Sequence, residues 1–169
     1  DILGGKIKLE SEVGKGSSFT FDLSFKIGAD EQVIEEKISA QNDAILEGKK
    51  VLLIEDNKIN QMITKRMVEN KGMICTDVID NGEDAIEAVK NNHYDLVLMD
   101  VHLPGINGTI ATQTIRTFDK KTKIIALTAI SLNENREMLL SYGMNDVITK
   151  PFDPNDFYRI IANNLSEIV

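Results

Sequence analysis

A chain of 169 residues that is 42% hydrophobic suits one domain of ordinary size plus something extra, and excludes wholesale disorder. Its net charge of -8 disfavours a nucleic-acid backbone as direct partner, because phosphate binding needs clustered Lys and Arg, and it leaves room for a bound cation. No apolar run reaches the roughly 18 residues that a bilayer-spanning helix needs, so no direct membrane contact is expected. The single cysteine, Cys75, has no internal partner and reads as a small core residue. The chain opens on Asp1 without a signal-peptide pattern and reads as a piece of something longer.

Residues 6 to 25 predict a hairpin. Ile7, Leu9 and Val13 alternate with Lys6, Lys8, Glu10 and Glu12, and Phe19, Phe21, Leu23 and Phe25 alternate with Ser18, Thr20, Asp22 and Ser24. Gly14-Lys15-Gly16 supplies the turn. A lone hairpin is marginal in water, and its apolar face needs cover. The wording Gly4-Gly5, Ser11, Gly14-Lys15-Gly16-Ser17 and Phe19-x-Phe21 resembles the last hairpin of the ATP-binding domain of sensor histidine kinases. The boxes that hold ATP in that family lie upstream of this hairpin. The resemblance therefore implies a remnant over residues 1–28 with no ATP site. Residues 29–48 are polar and acidic, with Glu31, Glu35, Glu36 and Asp43 beside a weak helical stripe of Ile34, Ile38, Ile45 and Leu46. They predict a linker, with a short helix as an alternative, ending at Gly48.

From Lys49 the pattern changes to strands alternating with helices. KVLLIE, Lys50 to Glu55, is an apolar run ending in acids. Ile59, Met62, Ile63, Met67 and Val68 then recur at helical spacing until Gly72. Met73 to Val78 predicts a strand, and Asn81 opens a helix with Ala85, Ile86, Ala88 and Val89 on its buried face. Leu96 to Met99 is a third strand, Thr109 to Phe118 a third helix, Lys123 to Thr128 a fourth strand. Ser131 caps a fourth helix that Gly143 ends, and Asp146 to Thr149 is the fifth strand. Asp153-Pro154 starts the last helix, with Phe157, Ile160, Ile161, Leu165 and Ile168 facing inward. Such an alternation predicts an α/β fold, a parallel sheet with helices on both sides.

Polar groups collect at the strand ends. Asp100 ends a run apolar enough to be buried on both faces, and it precedes Pro104, Gly105 and Gly108. On that stretch alone it reads either as a cap or as a group aimed into a site. Glu55 and Asp56 end the first strand, Thr128 the fourth and Lys150 the fifth. Crowded carboxylates repel, which raises the pKa of at least one unless a cation joins them. An oxygen-rich pocket with few ligands suits Mg²⁺. Lys150 offers a point charge for a phosphoryl oxygen, Thr128 a short hydroxyl donor, and Ala129 a small neighbour that leaves the pocket open. Together they predict a phosphoryl-transfer site with Asp100 as nucleophile.

With Glu55-Asp56, Asp100, Pro104-Gly105, Gly108, Thr128-Ala129 and Lys150-Pro151 in this order, residues 49–169 resemble a response-regulator receiver domain. The resemblance implies a doubly wound, five-stranded, flavodoxin-like sheet of order 2-1-3-4-5, carrying the hairpin as an N-terminal extension. It implies phosphorylation of Asp100 by a phosphohistidine, with Mg²⁺ held by Asp56, Asp100 and the backbone carbonyl of His102, and by Glu55 through water. It also implies a cis bond between Lys150 and Pro151. Beside the kinase-like hairpin, it implies the cytoplasmic C-terminal part of a hybrid sensor histidine kinase. The partner would be the histidine-bearing phosphotransfer or dimerisation helices of a kinase, docked near the first helix and the loop after Lys150; a homodimer is compatible with it.

The sequence departs from that family at Val147, where an aromatic switch residue is usual three positions before the lysine. His102 and Ile130 occupy positions thought to tune phosphoryl lifetime. His93 reads as solvated in a polar loop, and the side chain of His102 lacks the second His or Cys that a soft-metal site would bring. Two other readings stay open. One is an interaction module that is never phosphorylated, and the other is a hydrolase with an aspartyl nucleophile, which commonly has a second Asp where His102 stands.

Overall fold

A computed structural model describes residues 6–12, 16–22, 42–129 and 132–166. Gly4-Gly5, the Gly14-Lys15 turn, most of the expected linker, Ile130, Ser131 and Ile168 lie outside the described residues, as do the side chains of Phe19 and Phe21. The chain divides into two packed units, Asp1–Lys37 and Ile38–Val169. In the first, β1 (Lys6–Glu12) pairs antiparallel with β2 (Gly16–Asp22), with Leu9 opposite Phe19 and Glu12 opposite Gly16. This is the hairpin that the period-two alternation predicts.

The second unit is built on five parallel strands: β3 (Lys50–Ile54), β4 (Ile74–Ile79), β5 (Leu96–Asp100), β6 (Lys123–Thr128) and β7 (Asp146–Thr149). Their order across the sheet is β4-β3-β5-β6-β7. Counted from β3, that is 2-1-3-4-5, the doubly wound order. β5 sits in the centre, and every one of its residues is buried, which is why its sequence is a continuous apolar run rather than an alternation. Ile54 stands beside Met99, and Asp100 beside Leu127. The carboxyl ends of β3, β5 and β6 thus meet at one edge.

Side chains alternate between the two faces of the sheet. Leu52, Ile54, Val97, Met99, Ile124 and Ala126 enter one core. It is closed by α2 (Gly82–Asn91), α3 (Gly108–Arg116) and α4 (Leu132–Ser141). Val51, Leu53, Leu96, Leu98, Ile125 and Leu127 enter the other, closed by α1 (Lys58–Asn70) and α5 (Pro154–Leu165). In α5, Phe157 and Ile161 are fully buried, and Asp153 caps the helix by accepting from the N–H groups of Asn155 and Asp156. Asn81 and Asn107 cap α2 and α3 in the same way.

In three places the structure sharpens or corrects the sequence reading. Packing of the second unit reaches back past the boundary expected at residue 49. Residues 42–46 are helical, Leu46 is fully buried beside Val68, Phe157 and Ile161, and Asp43 pairs with Lys71 at 2.8 Å. On α1, the stripe splits: Val68 is buried, whereas Ile59, Met62 and Ile63 are 50–71% exposed. Helical spacing fixes which residues share a face, not whether anything covers it. Cys75 lies on edge strand β4 and is only partly buried; burial nonetheless pushes its thiol up to about 11.

Candidate functional site

At the carboxyl edge, one ligand oxygen from each of Glu55, Asp56 and Asp100 lies within 4.8 Å of the others. Glu55 and Asp100 are buried, and Asp56 is exposed. The Lys150 ammonium joins the two buried acids, donating to Glu55 Oε2 and, at 2.6 Å, to Asp100 Oδ2. Burial alone would lower the lysine pKa, but the hydrogen bonds and charges of Asp100 and Glu55 outweigh it and raise the pKa above its ordinary value. Lys150 therefore stays charged. The backbone N–H of His102 donates to Asp100 Oδ1 at 2.9 Å, so both oxygens of Asp100 carry a donor.

The chain around these groups is shaped for close approach. Lys150 follows directly on β7, and its N–H donates to the Thr128 carbonyl at 2.7 Å, tying the ends of β6 and β7. The peptide bond between Lys150 and Pro151 is cis. Thr128 is buried at the end of β6, and Ala129 beside it is exposed. Past Asp100 the chain turns so tightly that a Cβ on Gly108 would sit 2.1 Å from the Asp100 carbonyl oxygen. Gly105 has φ of +72°, a left-handed conformation that favours glycine. Asp56, His102, Pro104, Asn107 and Met138 are among the residues lining an open cleft of about 580 Å³.

All five strand-end groups expected from sequence are thus placed along one edge, and four of them are joined by direct contacts. His102 projects into solvent, as does His93. Val147, at the position of the expected aromatic, is 4% exposed and packs in the core that includes Leu139 and Met144. Sequence reasoning missed three residues that hold the site in place. Asn60 donates to Glu55 Oε1 at 3.0 Å, and Gln61 to the Glu55 carbonyl. Glu83 accepts from the Ile106 N–H at 3.1 Å, bracing the loop after Asp100 from the start of α2. Nothing in their spacing separates them from ordinary helix-surface polar residues.

Three carboxylates set against one ammonium leave a formal excess of two negative charges, the charge of one divalent cation. The donors are all hard oxygens, with neither thiolate nor imidazole in the cluster. That set fits a small, hard cation better than a transition metal.

The model of the response regulator receiver domain matches residues 51–162. This chain belongs to the response regulator receiver domain family. Receivers are the phosphoacceptor modules of two-component phosphorelays. Among curated proteins, the transcription factor SKN7 of Saccharomyces cerevisiae is 36% identical over 76% of the chain and 21% of its own length. The autoinducer 2 sensor kinase/phosphatase LuxQ of Vibrio vulnificus is 33% identical over 94% of the chain and 18% of its own length. The chain thus spans about a fifth of these relatives. Among solved structures, the receiver domain of sensor histidine kinase PA1611 from Pseudomonas aeruginosa, with magnesium in its active-site cleft, superposes with a TM-score of 0.64 at 37% identity, covering 70% of this chain and 98% of that one. The receiver of Saccharomyces cerevisiae Ssk1, solved with the histidine phosphotransfer protein Ypd1, gives 0.62 at 29% identity, covering 68% and 87%. No helix among the receiver's described residues is long and apolar enough to cross a membrane.

Proposed function

We propose that Asp100 accepts a phosphoryl group from a phosphohistidine. The observation that carries this reading is Lys150, whose ammonium lies between the buried carboxylates of Glu55 and Asp100 with Asp56 alongside. An Asp100 carboxylate oxygen attacks phosphorus in line. The new O–P bond forms as the P–N bond breaks, and the imidazole leaves with that electron pair. Lys150 moves its charge onto a phosphoryl oxygen, and the Thr128 hydroxyl donates to another. Glu55, Asp56, Asp100 and the His102 carbonyl would hold Mg²⁺, Glu55 through water. When bound, the cation supplies positive charge to the transferring phosphoryl oxygens.

The parent is a hybrid sensor histidine kinase with this receiver on its cytoplasmic side. The wording of the hairpin supports that reading, and so does the likeness to LuxQ, whose 94% coverage reaches beyond the receiver into the N-terminal unit. Its partner is a histidine-bearing helical bundle, from a phosphotransfer protein or the kinase itself, seated over Ile59, Met62 and Ile63 and the loop after Lys150. These three exposed apolar side chains on one helix face favour a protein partner.

The test is incubation with Mg²⁺ and a small phosphodonor, followed by intact mass. A single phosphate adduct that is absent from Asp100→Asn supports the assignment. An adduct that persists in Asp100→Asn would place the acceptor elsewhere, and no adduct with any donor would leave a module that works by binding alone.

A further inference from the structure

The Glu55 carboxylate is held from two sides. Oε2 takes the Lys150 ammonium. Oε1 takes the side-chain amide of Asn60 at 3.0 Å and, more weakly, the N–H of Asn57 at 3.3 Å. Asn57 is otherwise committed to the helix: its own Oδ1 accepts from the N–H groups of Ile59 and Asn60. That cap fixes where the first turn of α1 begins, and so where the Asn60 side chain is carried. Gln61 adds a hold on the main chain through the Glu55 carbonyl.

We propose that Asn60 is a positioning residue for the metal site, its amide keeping the Glu55 carboxylate in the acidic cluster against the pull of Lys150. Charge and direction both favour an amide at this position. Without the Asn60 amide, only the weaker Asn57 N–H opposes Lys150, and the carboxylate is drawn toward the ammonium and away from Asp56. A donor on the opposite oxygen resists that rotation. An amide does so without adding charge, so it stabilises the orientation without competing with a cation for the carboxylate. A Lys or Arg at residue 60 would make the same hydrogen bond and cancel the charge that a cation needs. The proposal rests on the reading of Glu55, Asp56 and Asp100 as a metal site.

The experiment is a Mg²⁺ titration without phosphodonor, followed through the backbone amide shifts of Asp56 and His102 in the ¹H–¹⁵N spectrum. It compares the native chain, Asn60→Leu and Asn60→Gln. Loss of an outer partner of a metal ligand typically weakens affinity by about tenfold or more. That loss is expected for Asn60→Leu, with recovery in Asn60→Gln, which restores an amide. If Asn60→Leu fails to give a dispersed native spectrum, Asn60→Ala takes its place. Native affinity in the variant lacking the amide would overturn the proposal. Equal weakening in that variant and in Asn60→Gln would overturn it too, because shape rather than the amide would then matter. A native chain with no saturable Mg²⁺ response would overturn the metal reading itself, and this one with it.

Discussion

Helices α1 and α5 cover the same face of the sheet, yet their apolar stripes have opposite fates. In α5, Phe157, Ile161 and Ala162 are buried, and the Phe157 ring meets Phe152 and Tyr158 at 5.4 and 5.5 Å. In α1 only Val68 of the stripe is buried, while Ile59, Met62 and Ile63 face outward. One stripe stabilises the fold, and the other is left as exposed apolar surface. Packing binds the two helices together through the Tyr158 hydroxyl, which donates to the Met67 carbonyl at 2.9 Å.

That contrast is tested first by removing a buried ring. Phe157→Ala is expected to lower unfolding free energy by about 3–5 kcal/mol, the usual loss for a fully buried aromatic, measured by urea denaturation. Next comes Leu46→Ala, with an expected loss of about 2–5 kcal/mol. A change near zero there would return residues 42–48 to linker status. On α1, Ile63→Ser is expected to leave stability within about 0.5 kcal/mol. Phosphotransfer from a phosphorylated histidine partner should slow about tenfold in the same variant, as befits an interface anchor. If Ile63→Ser unfolds the chain as Phe157→Ala does, the comparison collapses.

The smallest effect is read at Cys75, whose thiol packs beside the core under α1. Burial raises its pKa to about 11, with Lys65 opposing and Glu69 and Asp77 reinforcing the shift. Native chain should resist alkylation at pH 8, with rates rising only as pH approaches 11, whereas the unfolded chain reacts near an ordinary thiol pKa of about 8.5. The folded pKa is the higher one, so the associated stability is present below the unfolded value and falls as pH rises toward the folded one. Phe157→Ala should speed alkylation by opening the shared core; Ile63→Ser should not.

Much of this was legible in the residues. Strands buried on both faces announce themselves as apolar runs, so β3, β5 and β6 were readable to within a residue. Their polar termini at Glu55, Asp100 and Thr128, with Asp56 and Lys150, pointed to the site only in combination, because a lone Asp after such a run reads equally well as a cap. Other features depend on three-dimensional neighbours. Asn60, Gln61 and Glu83 are polar residues at the start of helices, and only the fold shows which carboxylate or loop each one meets. Leu46 lies in an acidic stretch whose composition says linker, yet it is buried in a core shared with Phe157, more than a hundred residues away. The exposure of Ile59 and its neighbours was invisible for the same reason: amphipathicity records a face and is silent about its cover.

The glycine at residue 108 gives the candidate site a point of failure that removes none of its polar groups. A methyl group there would collide with the Asp100 carbonyl at 2.1 Å and with the Met99 side chain at 2.9 Å. A Gly108→Ala chain would keep every carboxylate, the lysine and the threonine. It would still have to shift the main chain that carries the Asp100 carboxylate. Such a chain separates possessing the chemical groups from presenting them, because its composition stays competent while its aim is lost.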